Sequence, residues 1–259
     1  MATAALTPYP SSPGRQGGTV ADMPAVKSPW LIGFGAVAVL HLGLNAADAS
    51  PWDSISKSLL APLLAGWVVQ QGGPRLLVTA LGFCFLGDLF LELDDLFIIG
   101  MAAFAAAHVC FITLFVQRGA LDQLRRKPLI LAVYVVTAIG LTAWCWGGLD
   151  DGLKAPIPVY AALLVGTAAT SLATDVRAGI GGALFLLSDG IIALGEAGRV
   201  DRDFTATGLA IMALYILAIL LLTTGILDRE ARTIAAGPGF DPHLRTDCWP
   251  RLPERKVTP

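Results

Sequence analysis

The chain has 259 residues, 55% of them hydrophobic and 15% charged, with a formal net charge of -2 and a mean hydropathy of +0.67. Such values exclude an ordinary soluble domain, and without net positive charge or a basic stripe with interleaved aromatics they exclude a nucleic-acid partner. An all-α polytopic membrane protein is the class that fits, because apolar windows of about 20 residues follow one another almost without interruption.

Residues 1–29 are rich in Pro, Ser, Gly and Ala and show no apolar period, so they read as a disordered tail. The first span is expected from Trp30 to Ala47. Ala47-Asp48-Ala49 resembles a signal-peptidase site, but the preceding tail is long and carries only Arg15 and Lys27, so an uncleaved helix is preferred. Further spans are expected at Trp52 to Val69, Arg75 to Leu93, Leu96 to Val116, Pro128 to Trp146, Pro156 to Thr174, Gly179 to Gly195 and Thr205 to Leu227. That gives eight transmembrane helices over residues 30–227, joined by short Gly-, Pro- and charge-bearing turns. Residues 228–259 read as a polar, poorly ordered C-terminal tail.

Eight spans put both termini on one side, and cationic residues choose the side. With cytoplasmic termini, of the 18 Lys and Arg only Lys57, Lys154, Arg199 and Arg202 fall outside. The expected location is therefore a plasma membrane, the inner one of a bacterium. The third and seventh spans then run outward and carry Asp88 and Asp189 past the midpoint at similar heights. The second and sixth run inward and bring Lys57 and Tyr160 near the same level.

Asp88 lies in Leu81 to Glu92, an apolar run that keeps two carboxyls four residues apart on one helix face. An ionisable residue inside a membrane is costly and by default marks a functional site with a partner to be found. Asp88 and Asp189 are read as those partners. Gly82-x-x-Phe85-Leu86-Gly87-Asp88 with Asp95 beyond it parallels Ala183-x-x-Leu186-Leu187-Ser188-Asp189 with Glu196 beyond it. The halves accordingly read as a parallel repeat of four helices each, with the site between them. Two acids sharing a dry cavity can divide into one neutral and one charged group, the requirement of acid–base catalysis.

The remaining candidates each carry two readings. Glu92 serves the site or merely reaches the outer interface. His108, in line with Phe104, Phe111 and Phe115, relays a proton or packs through a hydrogen bond. Lys57, one turn before a helix-kinking Pro62, binds a phosphate or carboxylate or snorkels. Tyr160, after the stiff Pro156-Ile157-Pro158, faces the cavity or belongs to an aromatic belt. Cys84, Cys110, Cys145 and Cys248 have no CxxC spacing, and His41, His108 and His243 are scattered. No disulfide framework, metal site or cofactor is expected. The basic loop Arg118 to Lys127 reads as a topology determinant.

With those residues in place, the chain resembles the YhhN family of membrane proteins, whose animal members include the lysoplasmalogenases. The resemblance rests on four stretches in order. They are Lys57 with Pro62, then Leu86-Gly87-Asp88-Leu89-Phe90-Leu91 followed by Phe97, Gly100, Phe104 and His108, then Pro158 with Tyr160, and Gly182-Ala183-Leu184-Phe185-Leu186-Leu187-Ser188-Asp189. Ser58 stands where the family has a proline after the lysine. What the resemblance implies is hydrolysis of the vinyl ether bond of a lysophospholipid substrate, a lysoplasmalogen, to a fatty aldehyde and glycerophosphoethanolamine or glycerophosphocholine. Asp88 and Asp189 would divide the acid and base roles, Glu92 or His108 would tune or relay a proton, and Lys57 and Tyr160 would hold the phosphate. Membrane lipids are the surroundings, and no oligomeric state is implied. The competing class is a proton-coupled transporter, because membrane carboxylates also build proton relays.

Overall fold

A computed structural model of the protein describes residues 28–93, 95–201, 204–235 and 249. The N-terminal tail up to residue 27, most of the C-terminal tail, Asp94, Arg202, Asp203, His243 and Cys248 lie outside the described residues. Ten α-helices occupy what is described: α1 (Pro29–Ala46), α2 (Trp52–Gln70), α3 (Arg75–Leu91), α4 (Phe97–Gln117), α5 (Ala120–Arg126), α6 (Pro128–Cys145), α7 (Asp151–Lys154), α8 (Pro156–Thr174), α9 (Val176–Glu196) and α10 (Thr205–Ala235). No strand occurs among the described residues.

Their ends follow local chemistry. Proline opens α1, α6 and α8, where its missing N–H costs nothing and its fixed φ suits the first turn. Asp175 caps α9 by accepting the Ala178 amide at 3.1 Å, so this helix begins at Val176, ahead of the expected Gly179. The last helix also outruns its expected end at Leu227, because the charges that follow are held by other helices. Arg118 Nε donates to Glu230 at 2.8 Å and Arg232 to Asp175 at 2.6 Å, and Arg177 pairs with Asp228. These pairs tie the end of α4, the α8–α9 turn and α10 together at what we call the basic end of the bundle.

Seven helices form a closed ring in the order α1, α2, α3, α4, α8, α9, α10, with α10 returning to α1. Backbones approach closely where glycine permits. A Cβ at Gly87 would stand 2.5 Å from the Phe104 ring, and one at Gly181 2.7 Å from the Leu222 amide. Those contacts seat α3 on α4 and α9 on α10. α6 lies outside the ring against α8, and Cys145 near its end is its one buried residue.

Six helices are long and apolar enough to cross a membrane: α1, α4, α6, α8, α9 and α10. Between α1 and α4, α3 has 17 residues and α2 opens on Asp53, Ser54, Ser56, Lys57 and Ser58. Both are packed within the same ring as five of the six, all but α6.

Candidate active site

Four edge-to-face aromatic contacts build the floor of the site. Phe104 meets Phe185 and Tyr215 with ring centroids 6.0 and 5.9 Å apart, Phe185 meets Tyr215 at 5.5 Å, and His108 meets Phe185 at 4.6 Å. Such pairs contribute about 0.5–1.5 kcal/mol each beyond burial. They fix α4, α9 and α10 relative to one another, and the polar atoms of His108 and Tyr215 are fixed with them.

Above that floor lies a cavity of about 960 Å³, counting its mouth. Phe97, Met101, Leu141, Leu164, Leu186 and Met212 make its walls apolar, and Asp88, Asp189, Lys57, Tyr160 and Ser188 face it. The two expected carboxyl partners thus open onto one space. Asp88, in the last turn of α3, is only 1% exposed and accepts a hydrogen bond from the Tyr215 hydroxyl at 2.7 Å. Asp189 is half-buried and accepts from the Tyr160 hydroxyl. Ser188 turns away from its neighbour, donating to the Ile211 carbonyl of α10 at 3.0 Å.

His108 is fully buried one step behind. Its Nδ1 is 3.0 Å from Thr167 Oγ1 and its Nε2 is 3.5 Å from the Tyr160 hydroxyl. Donor accounting orders the chain. Tyr160 has a single proton and gives it to Asp189, so its oxygen is left to accept from Nε2–H, and the bare Nδ1 then accepts from Thr167. A neutral imidazole holds the phenol that holds Asp189.

Lys57 Nζ lies 2.6 Å from Glu92 Oε1, and Ser54 donates to Glu92 Oε2 at 2.6 Å. Glu92, the residue just after the end of α3, thus reaches across to α2. It is exposed at the rim and stands behind Lys57 rather than on the cavity wall. Tyr160 likewise spends its proton on Asp189. Two further residues belong to the site although nothing in the sequence singled them out. Tyr215 lies in the apolar run of α10, where a tyrosine reads as packing, and Thr167 lies among the small residues of α8. Their only signal is helical phase relative to the aspartates and His108. His41 is also buried, with Nδ1 3.0 Å from Ser56 Oγ, away from the cavity wall. Among the described residues no group of three or more His, Cys, Asp and Glu is placed to hold a metal ion.

The fold and site define a helical membrane protein in which two carboxyls with phenol partners face one apolar cavity. The YhhN family model matches residues 52–226, and the chain belongs to that family. It is 32% identical to the lysoplasmalogenase of Mycobacterium tuberculosis over 195 residues, 70% of this chain and 73% of that protein. It is 30% identical to Lysoplasmalogenase TMEM86B of Homo sapiens over 178 residues, 67% and 75% of the two chains, and 28% identical to the protein of that name in Rattus norvegicus over 196 residues, 72% and 81%. No solved structure matches the chain.

Proposed function

We propose that this chain is a membrane-embedded hydrolase that cleaves the vinyl ether bond of lysoplasmalogens, releasing a fatty aldehyde and glycerophosphoethanolamine or glycerophosphocholine. The observation that carries the reading is the pair Asp88 and Asp189, from α3 and α9, opening onto one apolar cavity. The names of the relatives favour hydrolysis over proton-coupled transport.

A vinyl ether breaks once its β-carbon is protonated. A neutral carboxyl gives that proton, and the resulting oxocarbenium ion is steadied by the other, charged carboxylate, as in glycoside hydrolysis. Water adds to the cation and loses its proton to a carboxylate, and the hemiacetal collapses to aldehyde and alcohol. Asp88 and Asp189 divide these roles. Tyr215 and Tyr160 each hold one carboxyl in the orientation required, and His108 supports Tyr160. Lys57 supplies the cation for the phosphate, exchanging Glu92 for it at the rim. Tyr160 acts on the substrate through Asp189.

The same reading takes α2 and α3 as spans, since they complete a ring with five membrane-length helices. That makes eight, arranged as a four-plus-four repeat, with both termini cytoplasmic and the cavity in the outward half of a bacterial inner membrane. The test is to incubate the purified protein with lysoplasmalogens and with ordinary lysophospholipids and to follow products by mass spectrometry. Aldehyde and glycerophospho product are expected from the lysoplasmalogens alone, and their absence would overturn the reading.

A further inference from the structure

A second space lies on the other side of α6. It is an apolar groove of about 1260 Å³, counting its open side, between α6 and α8, with Leu131, Val135 and Ile139 on one bank and Ala162 and Val165 on the other. Ala138, Thr142 and Ala161 belong to the walls of both the groove and the carboxyl cavity. None of the residues shared by the two spaces is therefore larger than threonine. α6 is also held unevenly. Its membrane-length window is only 6% buried, against 50% for α10. Cys145, its buried residue, packs with Met101, Leu149, Leu153, Ile157 and Ala197 at one end, and along the rest α6 lies against α8 with most of its surface facing outward.

We infer that this groove is the subsite for the hydrocarbon chain of the substrate, and that the chain reaches it from the cavity through the α6–α8 seam. The inference rests on the hydrolase reading above and names where the substrate's chain lies. Continuity fixes the occupant, because a molecule whose vinyl ether sits between Asp88 and Asp189 must lead its chain out through some wall, and this seam is lined by small side chains. Length agrees. From Thr142 at the seam to Leu131 the groove follows α6 for about 16 Å at ~1.5 Å per residue. One leaflet's hydrocarbon is about 15 Å deep, half of a core of about 30 Å. A chain bound there stays in an apolar setting from the seam to its end.

The test uses a lysophosphatidylethanolamine whose saturated ether-linked chain ends in a diazirine. It is photolysed with the wild-type protein in detergent, and adducts are mapped by peptide mass spectrometry. Adducts within 131–146 or 158–166 that excess lysoplasmalogen displaces are expected. Adducts confined to other helices, or groove adducts that lysoplasmalogen leaves in place, which would mean bulk lipid only, overturn the inference. A second arm fills the groove with Ala162→Trp. The ratio of kcat/KM for long-chain over short-chain 1-alkenyl substrates should fall about tenfold, in the range that pocket contacts confer. The ratio should hold in Val133→Trp, on an exposed position of α6 outside the groove. An unchanged ratio in Ala162→Trp overturns the inference. Wild-type protein that hydrolyses no lysoplasmalogen would sink the hydrolase reading itself, whereas turnover with misplaced adducts would sink only the chain subsite.

Discussion

At the basic end of the bundle, charges meet charges of opposite sign: Arg118 with Glu230, Arg177 with Asp228 and Arg232 with Asp175. In the cavity, the hydrogen bonds described for the two acids come from phenols, Asp88 from Tyr215 and Asp189 from Tyr160, with Lys57 on the same wall. Both regions hold polar side chains against an apolar bundle, with Asp88 buried, Arg118 and Glu230 largely so, and Arg177 and Arg232 half-exposed or more, yet they satisfy them differently. An ion pair neutralises itself and leaves no proton free to move, so it suits a clamp. A carboxyl held by a neutral hydroxyl keeps its capacity to gain or lose a proton. The nearest cation in the cavity, Lys57, is occupied by Glu92 at the rim. A protein that needed only to fold would gain by placing a cation beside Asp88 or Asp189, or by replacing both with apolar residues.

The sharpest way to break this comparison is to remove the protons. Asp88→Asn and Asp189→Asn keep shape and an accepting carbonyl for Tyr215 or Tyr160. Each should lower aldehyde release by about a thousandfold, within the range for losing a general acid or base, while the thermal midpoint in detergent stays near that of the wild type. Turnover in either variant, or loss of folding together with turnover, would make the cavity acids as structural as the clamp.

A smaller effect is expected one bond further out. Tyr215→Phe and Tyr160→Phe each delete a hydrogen bond to a carboxyl, a contribution of about 1.5–3 kcal/mol, or roughly ten- to a hundredfold in rate. The loss should fall on kcat more than on KM, because these hydroxyls orient the acids rather than the lipid. Tyr160→Phe also strands His108, whose Nε2 then has no oxygen to meet, so it should be the more damaging of the two. Equal KM effects with kcat unchanged would mean that the phenols bind substrate directly.

Why these partners escape sequence reading follows from the same geometry. The spans are legible because apolar runs and prolines such as Pro128 and Pro156 mark them, and Asp88, Asp189, Lys57 and Tyr160 stand out as polar groups at one depth. Tyr215 does not stand out, since in Ile211-Met212-Ala213-Leu214-Tyr215 it is one more large side chain. Only its contact across the bundle with α3 gives it meaning, and that contact joins residues 127 apart. Glu92 is a second such case: the sequence leaves open whether it serves the site or reaches the interface, and its partners Lys57 and Ser54 on α2 come into view only across the bundle. The overrun of α10 past Leu227 is hidden likewise, because Asp228 and Glu230 look solvated until their arginines on other helices are in view.

The smallest effect on turnover should come from the clamp. Glu230→Gln leaves Arg118, whose side chain is only 8% exposed, with its bond to the Leu114 carbonyl but no countercharge. Breaking a largely buried pair costs about 3 kcal/mol, so the thermal midpoint should drop clearly. The cost falls on the whole bundle because Glu230 joins α10 to α4, and α10 also carries Tyr215. If the clamp only holds helices, kcat at temperatures below the new midpoint stays within about twofold of wild type, as for a substitution with no transition-state contact. A fall in kcat without a fall in the midpoint would mean that charge at the basic end reaches the cavity through α10, and the two regions would then be one device rather than two.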